Sequence, residues 1–373
     1  MSSELLYPVM PIYLSSIGFS IMLIGVLEGF AEATVGLSKG YFGLRSDITG
    51  KRVPFVRLGY TLSAIGKSSI VFFIHPAWVF LTRTLDRLGK GVRTGARDAM
   101  LSDEATKEMK GKIFGFHRSL DTLGAVLGPA IALAYLYFHP AEYKTLFFLA
   151  FIPGVLAILM TFLLKDKPTV TPKDVKPRTF FSFLHYWKES PVAYRRAATG
   201  FLVFALFNSS DIFLLLKLRE SGMSDTWVIG AYIFYNLVYA LCSFPLGILA
   251  DKIGLKRMYI MGLFVFAFVY MGMAVGDGFY FYIILYAAYG IYSAATEGIA
   301  KAWISNMADK KDTATAIGLY SGFQSICALL ASSLTGIMWY AFGSGPAFII
   351  TASVTVCVAV YFLFMKADIA KAS

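Results

Sequence analysis

Cysteine and histidine are scarce in this sequence, and what they would have built is missing with them. The three cysteines, Cys242, Cys327 and Cys357, fall inside apolar segments without pairing or metal spacing, so they read as small core residues and imply no disulfide framework. The four histidines, His75, His117, His139 and His185, are scattered with no pair at ligand spacing, and there is neither a Ser/His/Asp array nor a Walker-type loop. These absences point away from an enzyme and imply no cofactor and no resident metal. Charge is sparse as well, at 15% of 373 residues. Two-residue alternation is absent, which argues against a transmembrane β-barrel.

Apolar residues make up 57% of the chain, and the mean hydropathy of +0.64 is high for a water-soluble surface of this size. Leu, Ile, Val and Phe come in blocks of roughly 18 to 25 residues, which at about 1.5 Å per residue crosses about 30 Å of hydrocarbon. The blocks predict twelve transmembrane helices, over 4–18, 20–43, 53–74, 76–98, 112–137, 143–164, 194–217, 225–247, 256–275, 279–302, 313–341 and 344–365. Turn formers such as His75-Pro76, His139-Pro140 and Gly276-Asp277-Gly278 separate them. The first stretch, Leu5 to Ile17, lacks the basic leader of a signal peptide and reads as a shortened first span.

A net charge of +11 would suggest nucleic acid in a soluble protein, but here the basic residues sit between apolar blocks. With the N-terminus inside, Lys51, Arg52, Lys107, Lys110, Lys112, the run from Lys165 to Arg196, Lys252, Lys256, Arg257, Lys310 and Lys311 all fall on the cytoplasmic side. That bias predicts N-in, C-in insertion in the cytoplasmic membrane, with lipid and not nucleic acid as a partner, and a monomer. The polar stretch near the midpoint divides the chain into six-helix bundles over 1–164 and 194–373 with a linker over 165–193. Within it Phe180, Phe181, Phe183, Leu184, Tyr186 and Trp187 interleave with His185 and Lys188, either as a short amphipathic helix on the inner leaflet or as a simple tether.

Two loops repeat. Gly43, Asp47, Gly50, Lys51 and Arg52 follow the second predicted helix, and Gly247, Asp251, Gly254, Lys256 and Arg257 follow the eighth, at equivalent places in the two halves. Internal repeats of this kind mark transporters made from duplicated bundles. The glycines permit a tight turn with close backbone approach, the basic residues anchor the next helix to anionic lipid, and each carboxylate is placed to latch the opposite bundle in one access state.

The paired Gly-x3-Asp-x2-Gly loops resemble the signature of the major facilitator superfamily, over the whole chain. Ile48 departs from the usual basic residue in the first copy, and Leu255 shifts the final basic pair in the second. Arg87-Leu-Gly-Lys90-Gly91 resembles that family's Arg-x-x-Gln-Gly motif, with Lys90 in place of glutamine. Gly124, Gly128 and Pro129 resemble a Gly-x3-Gly-Pro motif of drug/proton antiporters. The stretch from Arg83 to Asp98 looks like the hallmark of a prokaryotic branch. The resemblance implies two bundles about a pseudo-twofold axis, with one solute site near the midplane.

Charged residues inside membrane helices are costly unless paired or facing a cavity. In the fourth predicted helix Arg83, Asp86, Arg87, Lys90, Arg93 and Arg97 fall within an arc of about 120°. Arg83, Arg87 and Lys90 are candidates to line a solute cavity with Glu28, while Arg93 and Arg97 read as structural. In the second half Asn208, Asp211, Asn236, Glu297 and Gln324 are further cavity candidates, although Glu297 and Lys301 have pairing spacing. Glu32, Asp86 and Asp121 are candidates for proton coupling, because a carboxylate beside an arginine can alternate between paired and protonated states. Lys67 has two readings, snorkelling outward or meeting a second-helix glutamate. The chemistry expected is movement of a small organic solute by alternating access. Proton antiport directed to export is the first reading; proton-linked uptake of an organic anion, a metal-cation exporter and a non-transporting receptor are the alternatives.

Overall fold

Long apolar blocks punctuated by glycine, proline and charge become helices throughout the computed structural model of the protein, which describes residues 2–7, 9–140, 142–166 and 180–365. The described residues hold fifteen α-helices and no strand. They are α1 (Ser2–Leu6), α2 (Val9–Ser16), α3 (Ile21–Thr49), α4 (Val53–Ser69), α5 (Pro76–Asp103), α6 (Lys110–Phe138), α7 (Tyr143–Thr161) and α8 (Tyr186–Glu189). The series continues with α9 (Val192–Ala205), α10 (Ile212–Glu220), α11 (Asp225–Ile253), α12 (Leu255–Val275), α13 (Phe279–Met307), α14 (Thr313–Phe342) and α15 (Ser344–Phe364).

Each predicted span has a helical counterpart, with two of them broken. The first expected helix is divided into α1 and α2, with Pro8 between them in the sequence. The seventh is divided into α9 and α10 by Leu206–Asp211, where Asn208, Ser209, Ser210 and Asp211 carry side chains that compete for backbone hydrogen bonds. Ser210 does so here, its Oγ accepting from the Ile212 amide at 3.4 Å.

Among the described residues seven segments, Lys107–Phe138, Tyr143–Thr161, Trp227–Ile253, Leu255–Val275, Phe279–Met307, Lys310–Phe342 and Ser344–Phe364, are long and apolar enough to cross a membrane. Helices α3 and α5 have the length, with 29 and 28 residues, but carry the charged stripes described below. The apolar faces that a soluble protein would bury stay open to lipid: Leu133, Ile152, Leu241, Phe268, Ile284 and Ile337 are between 56% and 65% exposed.

The described chain forms two compact units. Unit 1 comprises residues 1–100, 123–189 and 309–325; unit 2 comprises 101–122, 190–308 and 326–373. In unit 1 an apolar cluster built from Leu5, Leu14, Leu27, Val79, Leu146 and Phe147 joins α1, α2, α3, α5 and α7. In unit 2 the core is aromatic: Phe201 packs against Tyr259, Trp303 and Phe362, and Phe266 stacks on Tyr270 at 4.1 Å between ring centroids.

Part of the linker, residues 167–179, lies outside the described residues. Its described end folds as a 3-10 turn over Phe180–His185 followed by α8. Phe183 and Tyr186 are buried, and a β-carbon at Gly40 would stand 2.4 Å from the Phe183 ring. The segment therefore docks on α3 through Phe183, while Phe181 and Leu184 stay exposed.

Candidate functional site

Both copies of the repeated loop perform the same act, each within its own unit. Helix α3 runs past the expected end at residue 43 to Thr49, so Asp47 sits in its last turn, and Gly50 closes the helix with φ +63° and its amide on the Asp47 carbonyl at 3.2 Å. The Asp47 carboxylate accepts the backbone amides of Ala314 at 3.2 Å and Thr315 at 2.6 Å, and the Thr315 hydroxyl at 2.7 Å. These are the free N–H groups of the first turn of α14, where the helix dipole favours an anion. In unit 2 the Asp251 carboxylate accepts the amides of Gly111 and Lys112, both at 2.7 Å, at the start of α6. Gly254 ends α11 at φ +100°, a conformation other residues rarely adopt.

The first glycine of each motif matches this arrangement. A β-carbon at Gly43 would stand 2.4 Å from the Ala314 carbonyl oxygen, and one at Gly247 would stand 2.4 Å from that of Gly111. Glycine and carboxylate, four residues apart on one helix face, together grip one turn of a helix from the other half of the sequence.

Two of the basic residues, Arg52 and Lys256, behave differently from the lipid anchors expected, while Lys51 and Arg257 are exposed. Arg52 is 4% exposed and donates Nη1 to Asp47 at 2.9 Å, because a buried carboxylate needs a counter-charge. Its backbone amide and that of Val53 donate to Asp166 at 2.7 and 2.9 Å, which caps α4. Lys256 donates to the carbonyls of Leu363 and Met365 at the end of α15, at 3.3 and 2.6 Å.

Five of the charged candidates in unit 1 meet. Arg83 holds Glu28 with two parallel hydrogen bonds of 2.8 Å and reaches Asp86 at 3.3 Å. Arg87 lies 3.5 Å from Glu28 and 3.3 Å from Glu32. Lys67 points neither outward nor to a second-helix glutamate: it pairs with Asp86 at 3.4 Å and donates to the Ser3 hydroxyl at 2.6 Å. Small residues make that reach possible, since a β-carbon at Gly66 would stand 2.6 Å from the Asp86 amide nitrogen. Arg93 bonds Ser63 at 2.8 Å and lies over the Tyr60 ring, and Arg97 bonds Asp98 at 2.9 Å.

The stripe is not uniform. Asp86 is buried and matched by two cations, whereas the Glu32 side chain is 42% exposed and among the described residues has one ion-pair contact, Arg87. Lys90, at the middle of α5, is exposed, and its ammonium makes no hydrogen bond or ion pair among the described residues, its carbonyl alone accepting the Thr94 hydroxyl at 2.6 Å. Arg87 keeps one buried guanidinium nitrogen, Nε, without a partner.

In unit 2 Arg118 binds Glu297 and the Tyr239 hydroxyl and lies 3.4 Å from Asp121. Asp211 accepts the hydroxyls of Tyr235 and, at 2.9 Å, Tyr289. Asn208 donates to the Tyr292 hydroxyl at 3.0 Å. Asn236 is buried beside them, its amide donating to the Tyr232 carbonyl of its own helix at 2.9 Å and its side chain bonding Tyr235. Gln324 is half-buried on α14 and has no hydrogen-bond partner among the described residues. Gly128 serves packing: a β-carbon there would stand 2.7 Å from the Leu5 amide nitrogen. Gly124 is buried and Pro129 lies inside α6. No group of three or more His, Cys, Asp or Glu placed to hold a metal is found among the described residues.

Sequence reasoning missed Thr315 and Tyr289, whereas Tyr235 and Tyr239 stand out beside Asn236 as polar positions of the eighth predicted helix. The partners of the two aspartates are mostly backbone amides, which carry no sequence signal. The tyrosines had one: they recur at three- or four-residue intervals along α11 and α13, beside the polar positions already singled out.

Comparison with known proteins agrees with the architecture. A family model described as Major Facilitator Superfamily matches residues 1–234 and 218–372. An uncharacterised MFS-type transporter of Methanocaldococcus jannaschii is 31% identical over 347 residues, spanning 91% of this chain and 85% of that protein. The multi-drug resistance efflux pump PmrA of Streptococcus pneumoniae is 22% identical over 284 residues, 72% of this chain and 68% of the pump. Among solved structures, the human organic anion transporter MFSD10 superposes with a TM-score of 0.81 at 13% identity, covering 97% of this chain and 95% of that one.

Proposed function

Because this chain belongs to the major facilitator superfamily, we propose that it exports a small organic solute across the cytoplasmic membrane in exchange for protons, as a twelve-span monomer with both termini inside. Family membership makes the protein a multi-pass membrane transporter and not an enzyme. The step to alternating access rests above all on the two loops. Asp47 and Asp251 each hold the first turn of a helix from the other half of the sequence through charge-assisted hydrogen bonds. Bonds of this kind are made or broken as a set, which suits a two-state element.

Glu32 is the proton-coupling residue in this reading. Ionised, it pairs with Arg87; protonated, it releases that guanidinium to the solute or to Glu28. Solute and proton then favour different conformers, and that difference in affinity lets a proton gradient bias the exchange. The direction of export draws on the resemblance to PmrA and on the Gly124, Gly128 and Pro129 segment.

A second reading, proton-linked uptake of an organic anion, is favoured by Lys90, an exposed cation at mid-helix with no carboxylate paired to it among the described residues. Reconstituted vesicles with an imposed pH gradient separate the two. Antiport moves protons against the solute and uptake moves them with it. No solute-stimulated proton movement across a broad panel overturns both.

A further inference from the structure

We infer that the break between α9 and α10 is a receptor for a primary ammonium group, with Asp211 as its counter-ion and Asn208 and Tyr286 as its neutral acceptors. The inference names a substrate class for the transport reading above and rests on it only for the direction of movement.

Non-helical backbone within a membrane span is tolerated where it is buried in protein or lines a polar cavity. Residues 206–211 break the seventh predicted span in this way, between α9 and α10. At its end Asp211 is half-buried and hydrogen-bonded to two tyrosine hydroxyls. No lysine or arginine pairs with it among the described residues. The contrast with unit 1 is sharp, since Glu28, Glu32 and Asp86 each pair with a cation. A charged group that acts on Asp211 at range, Glu297, is itself acidic. An isolated carboxylate in such surroundings calls for a positive ligand.

The neighbouring acceptors specify the kind of cation. Asn208 uses its amide nitrogen on Tyr292, which leaves Oδ1 as an acceptor, and that oxygen is buried without a partner. Tyr286 is 1% exposed, and its hydroxyl has no partner either. Tyr286, Tyr289 and Tyr292 follow one face of α13 at three-residue spacing. The Tyr235 ring lies 5.3 Å from Tyr289 and 6.3 Å from Tyr286, so the polar atoms are framed by aromatic rings. A primary ammonium offers three N–H donors to this set, and its charge is favourable against aromatic faces. A quaternary ammonium offers no donor and would leave Asn208 and Tyr286 unsatisfied.

The group belongs either to a free amine or to the amine end of a zwitterion. Calorimetric titration of the purified full-length protein in lipid nanodiscs with n-butylammonium, 6-aminohexanoate, tetramethylammonium and sodium distinguishes these. Butylammonium, 6-aminohexanoate or both should bind, and Asp211→Asn should weaken that binding about a hundredfold. Tyr286→Phe removes a hydroxyl with no protein partner, so it folds normally, and it should weaken binding about tenfold. It decides the matter even where Asp211→Asn does not fold. The inference is overturned if neither amine binds, if Tyr286→Phe leaves their affinity unchanged, or if tetramethylammonium or sodium binds as tightly. Amine binding that depends on Tyr286 without any coupled proton flux would remove the antiport reading and leave this receptor standing.

Discussion

Gly43 lies so close to Ala314 that a β-carbon on it would stand 2.4 Å from the Ala314 carbonyl oxygen. In unit 2 Gly247 and Gly111 stand in the same relation at the same distance. A contact that leaves no room for a methyl group is sensitive to the smallest side chain, and its repetition in both units ties it to the repeated motif.

Gly43→Val should therefore loosen the grip on α14 without touching any charge. Ala314 is fully buried, so a cysteine at that position in a background lacking Cys242, Cys327 and Cys357 should resist maleimide. Adding Gly43→Val should raise its labelling rate about tenfold, as expected for a shift of about 1.4 kcal/mol toward the released state. An unchanged rate would mean that the close approach plays no part in closure.

The two aspartates should differ in what their loss costs. Asp47→Asn removes the carboxylate that bonds the buried Arg52 guanidinium and grips α14, and should destabilise by about 3–5 kcal/mol. Asp251 makes two backbone hydrogen bonds and no ion pair among the described residues, so Asp251→Asn should cost only about 1–2 kcal/mol. Thermal unfolding in detergent reads the difference. The double variant Asp47→Asn/Arg52→Leu should unfold at a higher temperature than Asp47→Asn alone; an unchanged temperature would place the loss in the hydrogen bonds to α14 rather than in the ion pair.

The spans were readable because length and hydropathy are local properties, and ten of the twelve carry a single helix. The breaks were harder. Val192 to Glu220 holds enough apolar residues for one continuous helix, and only the competition of Asn208, Ser209, Ser210 and Asp211 with the backbone interrupts it. Partners were harder still. Asp47 and Thr315 are separated by 268 residues, and the groups that meet include backbone amides that any residue supplies. Arg52 and Lys256 show a different limit: a basic residue after a membrane helix reads as a lipid anchor, yet one neutralises a buried aspartate and the other caps α15. In the fourth span the stripe of charge was legible from periodicity, whereas the division between matched Asp86 and loosely held Glu32 depended on how closely α4 approaches α5.

That division leads to a prediction about Lys67. Lys67→Met strips Asp86 of one of its two cations and leaves a buried carboxylate short of charge, which should destabilise by about 3 kcal/mol. Lys67→Met/Asp86→Asn should recover part of the loss in unfolding temperature. Failure of the second change to restore anything would show that the Lys67 bond to Ser3 matters more than the pair.

Lys90 offers a cleaner separation of stability from function. Its ammonium has no partner among the described residues, so Lys90→Gln should leave stability within about 0.5 kcal/mol of the parent. Loss of transport in that folded variant would assign the ammonium to the solute pathway, and the direction of solute-coupled proton movement in the parent protein would then decide between export and uptake.

Three carboxylates compete for proton coupling, and their surroundings rank them. The Asp86 side chain is 7% exposed and held by Lys67 and Arg83, so protonating it would strip the buried Lys67 ammonium of its paired carboxylate, while Arg83 keeps Glu28. Asp121 is half exposed at 3.4 Å from Arg118, but Arg118 is also bound to Glu297, and losing Asp121 leaves that guanidinium neutralised. Glu32 combines access to water with one ion-pair contact among the described residues, Arg87, which shares itself with Glu28, while Lys90, Lys39 and Arg83 act on it from further away. Only there does a proton change the charge presented to a solute without unravelling the network. Glu32→Gln should therefore keep solute counterflow in vesicles within about threefold of the parent while abolishing accumulation driven by a pH gradient, since the variant is fixed in the protonated-like state. Asp121→Asn should retain gradient-driven transport. The reverse pattern, with Glu32→Gln still driven and Asp121→Asn not, would move the coupling site to α6.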